Sequence, residues 1–207
     1  MNKKYDVIII GAGAAGLMSA IEAGKRGKIV FLIDHSTKIA EKIRISGGGR
    51  CNFTNLYSNP SNFLSNNKHF CKSAFAKYTQ NDFIDLIEKH NIEFFEKKLG
   101  QLFCNTSAKE IIDMLVKECI EYNVNIDLET KVTSLSKSEN EYIIKTNKGT
   151  YTSKSMVIAT GGLSIPKIGA SDFGYRIAKQ FDLKVTDLLP ALVPLTFEEK
   201  ELEFCKS

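Results

Sequence analysis

The stretch from Tyr5 to Asp34 limits the possible folds of this 207-residue chain more than any other. Tyr5-Asp6-Val7-Ile8-Ile9-Ile10 is a short apolar run of the buried-strand kind, and it stops at Gly11-Ala12-Gly13-Ala14-Ala15-Gly16. Leu17, Ala20, Ile21 and Gly24 then fall at i, i+3, i+4 and i+7, which predicts a helix whose inner face is small enough to lie close to a sheet. Gly27 supplies its stop. Ile29-Val30-Phe31-Leu32-Ile33 reads as a second buried strand and ends on Asp34. Strand, helix and strand in that order form a βαβ unit, which requires parallel strands.

The remaining patterns extend that sheet. Helices are expected over residues 81–90, with Phe83, Leu86 and Ile87 on one face, and over 108–122, with Ile111, Ile112, Leu115 and Cys119 inward. Residues 124–128 read as a strand returning to the parallel sheet. Residues 131–135, 141–146 and 150–153 alternate, and the turn Asn147-Lys148-Gly149 suits a small antiparallel meander. Residues 155–160 form a further buried strand ending at Gly161-Gly162. The expected fold is α/β: a doubly wound parallel Rossmann-type sheet with an antiparallel β-meander inserted in a crossover. Residues 45–67, with Gly47-Gly48-Gly49, Pro60 and six asparagines, read as one long loop.

Composition excludes several classes. With 43% hydrophobic and 25% charged residues the chain can bury a core, so disordered and collagen-like readings fail. A net charge of +4 would invite nucleic acid, yet the bases are interleaved with acids and no run of five or six cations occurs, so nucleic acid is not the expected partner. The cysteines at 51, 71, 104, 119 and 205 are odd in number and form no C-x-x-C pair. Neither a disulfide framework nor a metal site is expected, and a reducing cytoplasm is the natural compartment. Asp6 interrupts the one N-terminal stretch that imitates a signal peptide. No apolar run approaches the ~18 residues of a membrane span.

The chemistry is written in two glycine clusters. In the first, Gly11 turns the chain out of the strand, Gly13 lets the backbone approach a pyrophosphate, and Gly16 permits close helix packing. Free amides at the helix start would receive the phosphate charge. Asp34, at the tip of the next strand, suits a ribose hydroxyl pair and would repel a 2′-phosphate, favouring FAD or NAD over NADP; a solvated strand-end carboxylate is the plain alternative. The second cluster is Ser46-Gly47-Gly48-Gly49-Arg50-Cys51-Asn52-Phe53-Thr54-Asn55. Its glycines suit backbone passing something flat or charged, and Arg50, with Lys42 and Arg44 upstream, could offset pyrophosphate charge or fix a flavin edge. From composition alone an ordinary surface loop explains it equally well.

Lys42 through Asn55, with its Ser-Gly-Gly-Gly-Arg-Cys-Asn core, resembles the signature of the BaiN-like flavoproteins, also labelled aminoacetone-oxidase-type FAD-binding enzymes. Leu99-Gly100-Gln101-Leu102-Phe103-Cys104 and Ala159-Thr160-Gly161-Gly162-Leu163-Ser164-Ile165-Pro166 resemble further family segments, as do residues 169–178 and Pro190-Ala191-Leu192-Val193-Pro194-Leu195. The resemblance implies FAD in an extended pose. Gly11, Gly13, Ala14, Ala15 and Gly16 would hold its pyrophosphate, Asp34 the adenosine ribose, and the Val132 backbone the adenine. Lys42 and Gly48, Gly49, Arg50, Cys51 and Asn52 would run along the cofactor, and Ala159, Thr160 and Gly161 would form the second backbone approach. The implied activity is hydride transfer between flavin and a small organic substrate, with NAD(P)H or oxygen as the other redox partner.

No acid or base stands out as catalytic. A redox relay at Cys51 would need a second thiol nearby in sequence, so a small packing residue is the better reading. His35, His69 and His90 are scattered. The resemblance also implies that residues 1–194 are the N-terminal part of an FAD domain and 195–207 the start of an inserted substrate domain. The chain is then expected to be truncated relative to the family, with a complementary chain as a possible partner. A dinucleotide-binding fragment without turnover is the competing reading, and an NAD-only Rossmann protein is a third.

Overall fold

The structure, a computed structural model, describes residues 3–165 and 169–189. Pro166, the Pro190–Leu195 segment, Cys205 and the expected boundary at 194/195 lie outside the described residues. The chain divides into two compact units, residues 1–174 and 175–207.

The first unit opens with the expected βαβ: β1 (Lys3–Ile10), α1 (Ala14–Lys25) and β2 (Val30–Ile33). It continues through α2 (Glu41–Ile45), a 3-10 turn at 46–49, β3 (Asn52–Asn55), α3 (Lys72–Phe75), α4 (Gln80–Lys89), β4 (Phe94–Glu96) and β5 (Gln101–Cys104). Then follow α5 (Ala108–Glu121), β6 (Asn125–Asp127), β7 (Val132–Lys137), β8 (Tyr142–Thr146) and β9 (Gly149–Ile158). Helix α6 (Phe173–Gln180) spans the boundary, and the described part of the second unit is the rest of that helix and residues to 189.

Six strands make one sheet in the order β6-β2-β1-β9-β8-β7, parallel across its first four members and antiparallel across the rest. The α/β Rossmann-type fold is therefore present. Its meander differs from expectation in one respect. Residues 150–153 and 155–158 are not two strands: β9 is continuous, its first residues pair with β8, and residues 151–158 run beside β1, from Lys3↔Tyr151 to Ile10↔Ile158. Lys154, the apparent break, lies within the strand, its ammonium 3.4 Å from Asp6 Oδ1.

The core forms where α1 and α5 cover the parallel strands. Leu17, Ala20 and Ile21 of α1 and Ile111, Leu115 and Cys119 of α5 are buried with Ile9, Val30 and Leu32. Each such aliphatic side chain contributes about 1.5–3 kcal/mol on burial. Gly24 brings the helices together, because a Cβ there would stand 2.7 Å from Tyr122 Cβ.

A second sheet, β3-β5-β4, is antiparallel and was not expected. The supposed loop over 45–67 contains its edge strand β3, held through Asn52↔Phe103 and Asn55↔Gln101. Polar composition hid this strand. Phe53 is its one apolar anchor, meeting the Phe94 ring edge-on at 5.6 Å and lying 6.1 Å from Phe83 of α4.

Candidate functional site

The first glycine cluster and the end of β9 meet at the carboxyl end of the parallel strands, and α2, which leads into the triple glycine, is tied to the same turn. Gly11 has φ +109°, and a Cβ on it would lie 2.5 Å from Ala159 O and 2.9 Å from Thr160 N. The first motif thus needs glycine because the Ala159-Thr160-Gly161 segment passes directly over it. A Cβ on Gly16 would stand 1.8 Å from Gly11 O, so the helix leaves the strand as tightly as backbone allows. Gly13 is different: a Cβ there meets nothing within 4 Å. It is the N-cap of α1, no side chain caps that helix, and its first turn carries no acid. An uncapped, acid-free helix start beside a glycine that the protein's own packing does not require suits an anion.

Asp34 does more than end β2. Its Oδ2 accepts from the Ala12 N–H at 2.6 Å and its Oδ1 from the Ser36 N–H at 2.8 Å, so the carboxylate fixes the glycine turn as well as standing beside it. His35 Nδ1 lies 3.4 Å from Oδ1. The Thr130 N–H donates to Asp34 O at 2.8 Å and the Glu129 N–H to Ser36 O at 3.0 Å, which places Val132, at the start of β7, two residues from this junction. Sequence reasoning missed Ala12, Ser36 and Thr130; the Asp-x-Ser spacing was the available signal for the second.

The triple glycine divides by role. A Cβ on Gly47 would strike Asn52 N and the Phe103 ring at 2.7 and 2.8 Å, so this glycine serves packing. Gly48 and Gly49 have φ +67° and +86° and face open space. The Leu99–Cys104 segment explains itself here: Phe103 backs Gly47, and the Cys104 N–H donates to Arg50 O at 2.9 Å, holding the loop from behind. Arg50 and Asn52 are exposed. Cys51 is buried, with φ +51°, and burial pushes its thiol up from the ordinary value, against a weaker opposing effect of Ser46. Cys104 is pushed up to about 12, first by burial and then by Cys51. Neutral thiols are poor nucleophiles, which favours packing over a redox relay at Cys51.

Lys42 projects from α2 across to the second approach. Its Nζ donates to Ser164 Oγ at 2.8 Å and lies 3.5 Å from where a Gly161 Cβ would be. The Ala40 N–H donates to Ala12 O at 3.0 Å, tying the start of α2 to the glycine turn, and the Ala159 N–H donates to Ile10 O at 2.8 Å. Thr160 Oγ1 is buried with no hydrogen-bond partner. A buried hydroxyl left alone costs about 1–3 kcal/mol, and Ser153 Oγ of β9 is in the same state. The residues present fit a dinucleotide: an uncapped helix start and open space over Gly13, Gly48 and Gly49. His90 is a structural residue, 2.7 Å from the buried Glu118 of α5. Among the described residues no cluster of three or more His, Cys, Asp or Glu could hold a metal, and no helix is long and apolar enough to cross a membrane.

Residues 5–193 match the family model described as the HI0933-like protein Rossmann domain. The chain is 53% identical over 201 residues to the ribosomal RNA dihydrouridine synthase of Escherichia coli K12, covering 97% of this chain and 50% of that protein. It is 44% identical over 205 residues to the protein of the same name from Haemophilus influenzae, covering 97% and 51%. Among solved structures, the open conformation of a flavocytochrome c3 fumarate reductase is similar with a TM-score of 0.58 at 20% identity, over 86% of this chain and 40% of that one. The chain spans about half the length of the curated relatives it matches.

Proposed function

The chain belongs to the HI0933-like Rossmann-domain family, a family of FAD-binding flavoproteins, and on that premise we propose that it holds FAD for the reduction of uridine in ribosomal RNA. The finer label drawn from its motif, BaiN-like or aminoacetone-oxidase-type, differs from the name that the two relatives carry. For the cofactor, the supporting observation is the uncapped, acid-free start of α1 beside the open space over Gly13. For the substrate it is the 53% identity to a ribosomal RNA dihydrouridine synthase over nearly the whole chain. This substrate replaces the small organic molecule expected from the motifs, and it sets the charge-based expectation against nucleic acid aside.

The amides of Ala14, Ala15 and Gly16 bind the pyrophosphate, with Gly13 leaving room for it. Asp34 holds the adenosine ribose while keeping Ala12 in place, and the Val132 backbone borders the adenine. Lys42, Arg50 and Asn52 line the path toward the flavin, and Thr160 donates or accepts one hydrogen bond there. When bound, FAD supplies hydride chemistry at its ring, and NAD(P)H is the electron donor. Saturating the 5,6 double bond of uracil takes one hydride and one proton. The 207 residues supply the cofactor-binding part of the activity, and a further domain or complementary chain supplies the rest of the enclosure that excludes water. Compartment follows substrate: the protein works in the cytoplasm.

The test uses the protein as its gene encodes it. It should purify yellow, and nucleoside mass spectrometry of ribosomal RNA should show dihydrouridine falling in a deletion strain and returning with the intact gene. Unchanged dihydrouridine on deletion refutes the substrate. A colourless protein that takes up no FAD on reconstitution refutes the cofactor.

A further inference from the structure

Between Glu41 and Asp82 the chain has no acidic residue, whereas Lys42, Arg44, Arg50, Lys68, Lys72 and Lys77 supply six cations. The remaining residues carry 22 cations against 24 acids, so the whole positive excess of the protein resides in residues 42–81. Interleaving of charges over the full sequence conceals this segregation.

The same segment collects the exposed rings. Tyr57, Phe63, Phe70 and Tyr78 are 68, 53, 78 and 39% exposed, and among the described residues no other aromatic side chain is as open to solvent. Leu64 beside them is 94% exposed. Phe53, Phe63, Phe75 and Tyr78 wall an open hollow of about 240 Å³, to which Thr79 and Gln80 add polar atoms. Apolar rings left in water over so short a stretch mark an interaction surface. Cations mixed with rings along residues 57–78, with Asp82 of α4 bonded to Thr79 at the edge of the hollow, match a polyanion that also offers flat apolar faces. Unpaired RNA is that ligand: lysines meet its phosphates, and rings stack on its bases.

We propose that residues 57–78 form an RNA-binding surface that engages an unpaired stretch of the substrate, Lys68, Lys72 and Lys77 contacting phosphates and Tyr57 and Phe70 stacking on bases. The proposal rests on the reading of ribosomal RNA as substrate. Chain continuity supports the placement, because the loop at Gly48–Asn52 runs into this surface through the four residues of β3.

The test is fluorescence anisotropy of the 207-residue chain with a labelled single-stranded 20-nucleotide RNA across a salt series. K68Q/K72Q/K77Q should weaken binding at least tenfold and flatten the slope of log K against log salt by about 2, at roughly 0.7 per phosphate contact. F70A should weaken binding on the order of tenfold with the slope unchanged. A control with the same charge change, K28Q/K117Q/K145Q, should alter affinity less than threefold. FAD uptake and the circular dichroism spectrum should match wild type in all three. If the lysine triple fails to fold, K72Q alone, with a slope change of about 0.7, takes its place. Equal loss in the two triples, wild-type binding by the segment variants, or binding to phosphatidylserine vesicles in place of RNA would each overturn the surface. The dihydrouridine measurement separates the two readings: uridine reduction with RNA binding indifferent to these variants removes the surface and keeps the substrate.

Discussion

The first glycine motif and the triple glycine differ in what makes their glycines necessary. At Gly11 and Gly16 the reason is the protein itself, since any Cβ would overlap backbone at 2.5 and 1.8 Å. At Gly48 and Gly49 no protein atom lies within 4 Å of the missing Cβ. Gly11 and Gly16 form a backbone joint, whereas Gly48 and Gly49, like Gly13 and unlike Gly47, meet no protein atom there. Identical residue types therefore report two kinds of constraint, and only substitution tells them apart.

The largest effect belongs to the joint. Gly16→Ala should cost more than ~4 kcal/mol, because the clash is with backbone that cannot move without displacing α1. Thermal denaturation should show little or no folded chain, and a variant that melts within a few degrees of wild type would erase the distinction. Gly48→Ala should cost only about 1–2 kcal/mol, from its left-handed backbone, and lower FAD affinity more than stability. Titration of the apoprotein with FAD beside a urea melt measures both. Gly13→Ala should shift stability by about 1 kcal/mol or less yet weaken FAD at least tenfold. Equal effects on folding and binding would place Gly13 in the joint after all.

Thr160→Val gives a smaller change with an unusual sign. Removing a buried hydroxyl that lacks a partner should stabilise the cofactor-free chain by about 1 kcal/mol while weakening FAD several-fold. Destabilisation of the apoprotein would show that the hydroxyl already has a partner. Glu118 supplies the pH probe, away from both glycine motifs. Burial raises its carboxyl, but Lys89 and His90, both 2.7 Å away, hold it below the ordinary glutamate value. A depressed folded value adds stability that is complete above the unfolded pKa of ~4.3 and is lost as pH falls through the folded value. Acid melts of wild type should therefore lose a component below about pH 4 that is missing from Glu118→Gln.

The parallel sheet was legible because β1, β2 and the end of β9 are continuous apolar runs that nothing but a doubly covered strand explains. The antiparallel sheet was not. Phe94–Glu96 and Gln101–Cys104 are three and four residues long, too short for alternation to register, and Asn52–Asn55 carries a single ring among polar side chains. In the site, glycine spacing led to the cradle and Asp34. The hold of Asp34 on Ala12 and the solitary Thr160 hydroxyl depend on residues that are distant in sequence, so no local pattern could carry them. The cationic segment was lost for the opposite reason: summing charge over the whole chain averaged away a contrast that lies within it.

The register that joins β1 to β9 also sets a timetable. Val7 pairs with Ser155 and Ile10 with Ile158, so the first strand leaves the ribosome long before its neighbour exists. At roughly 5–20 residues per second, synthesis of the intervening ~150 residues takes roughly 8–30 seconds. Until then Gly11 has no Ala159 to pack against, and the cofactor cradle is half built. FAD capture is thus a late event in the life of a nascent chain, after an interval in which an apolar strand must be sheltered from other chains.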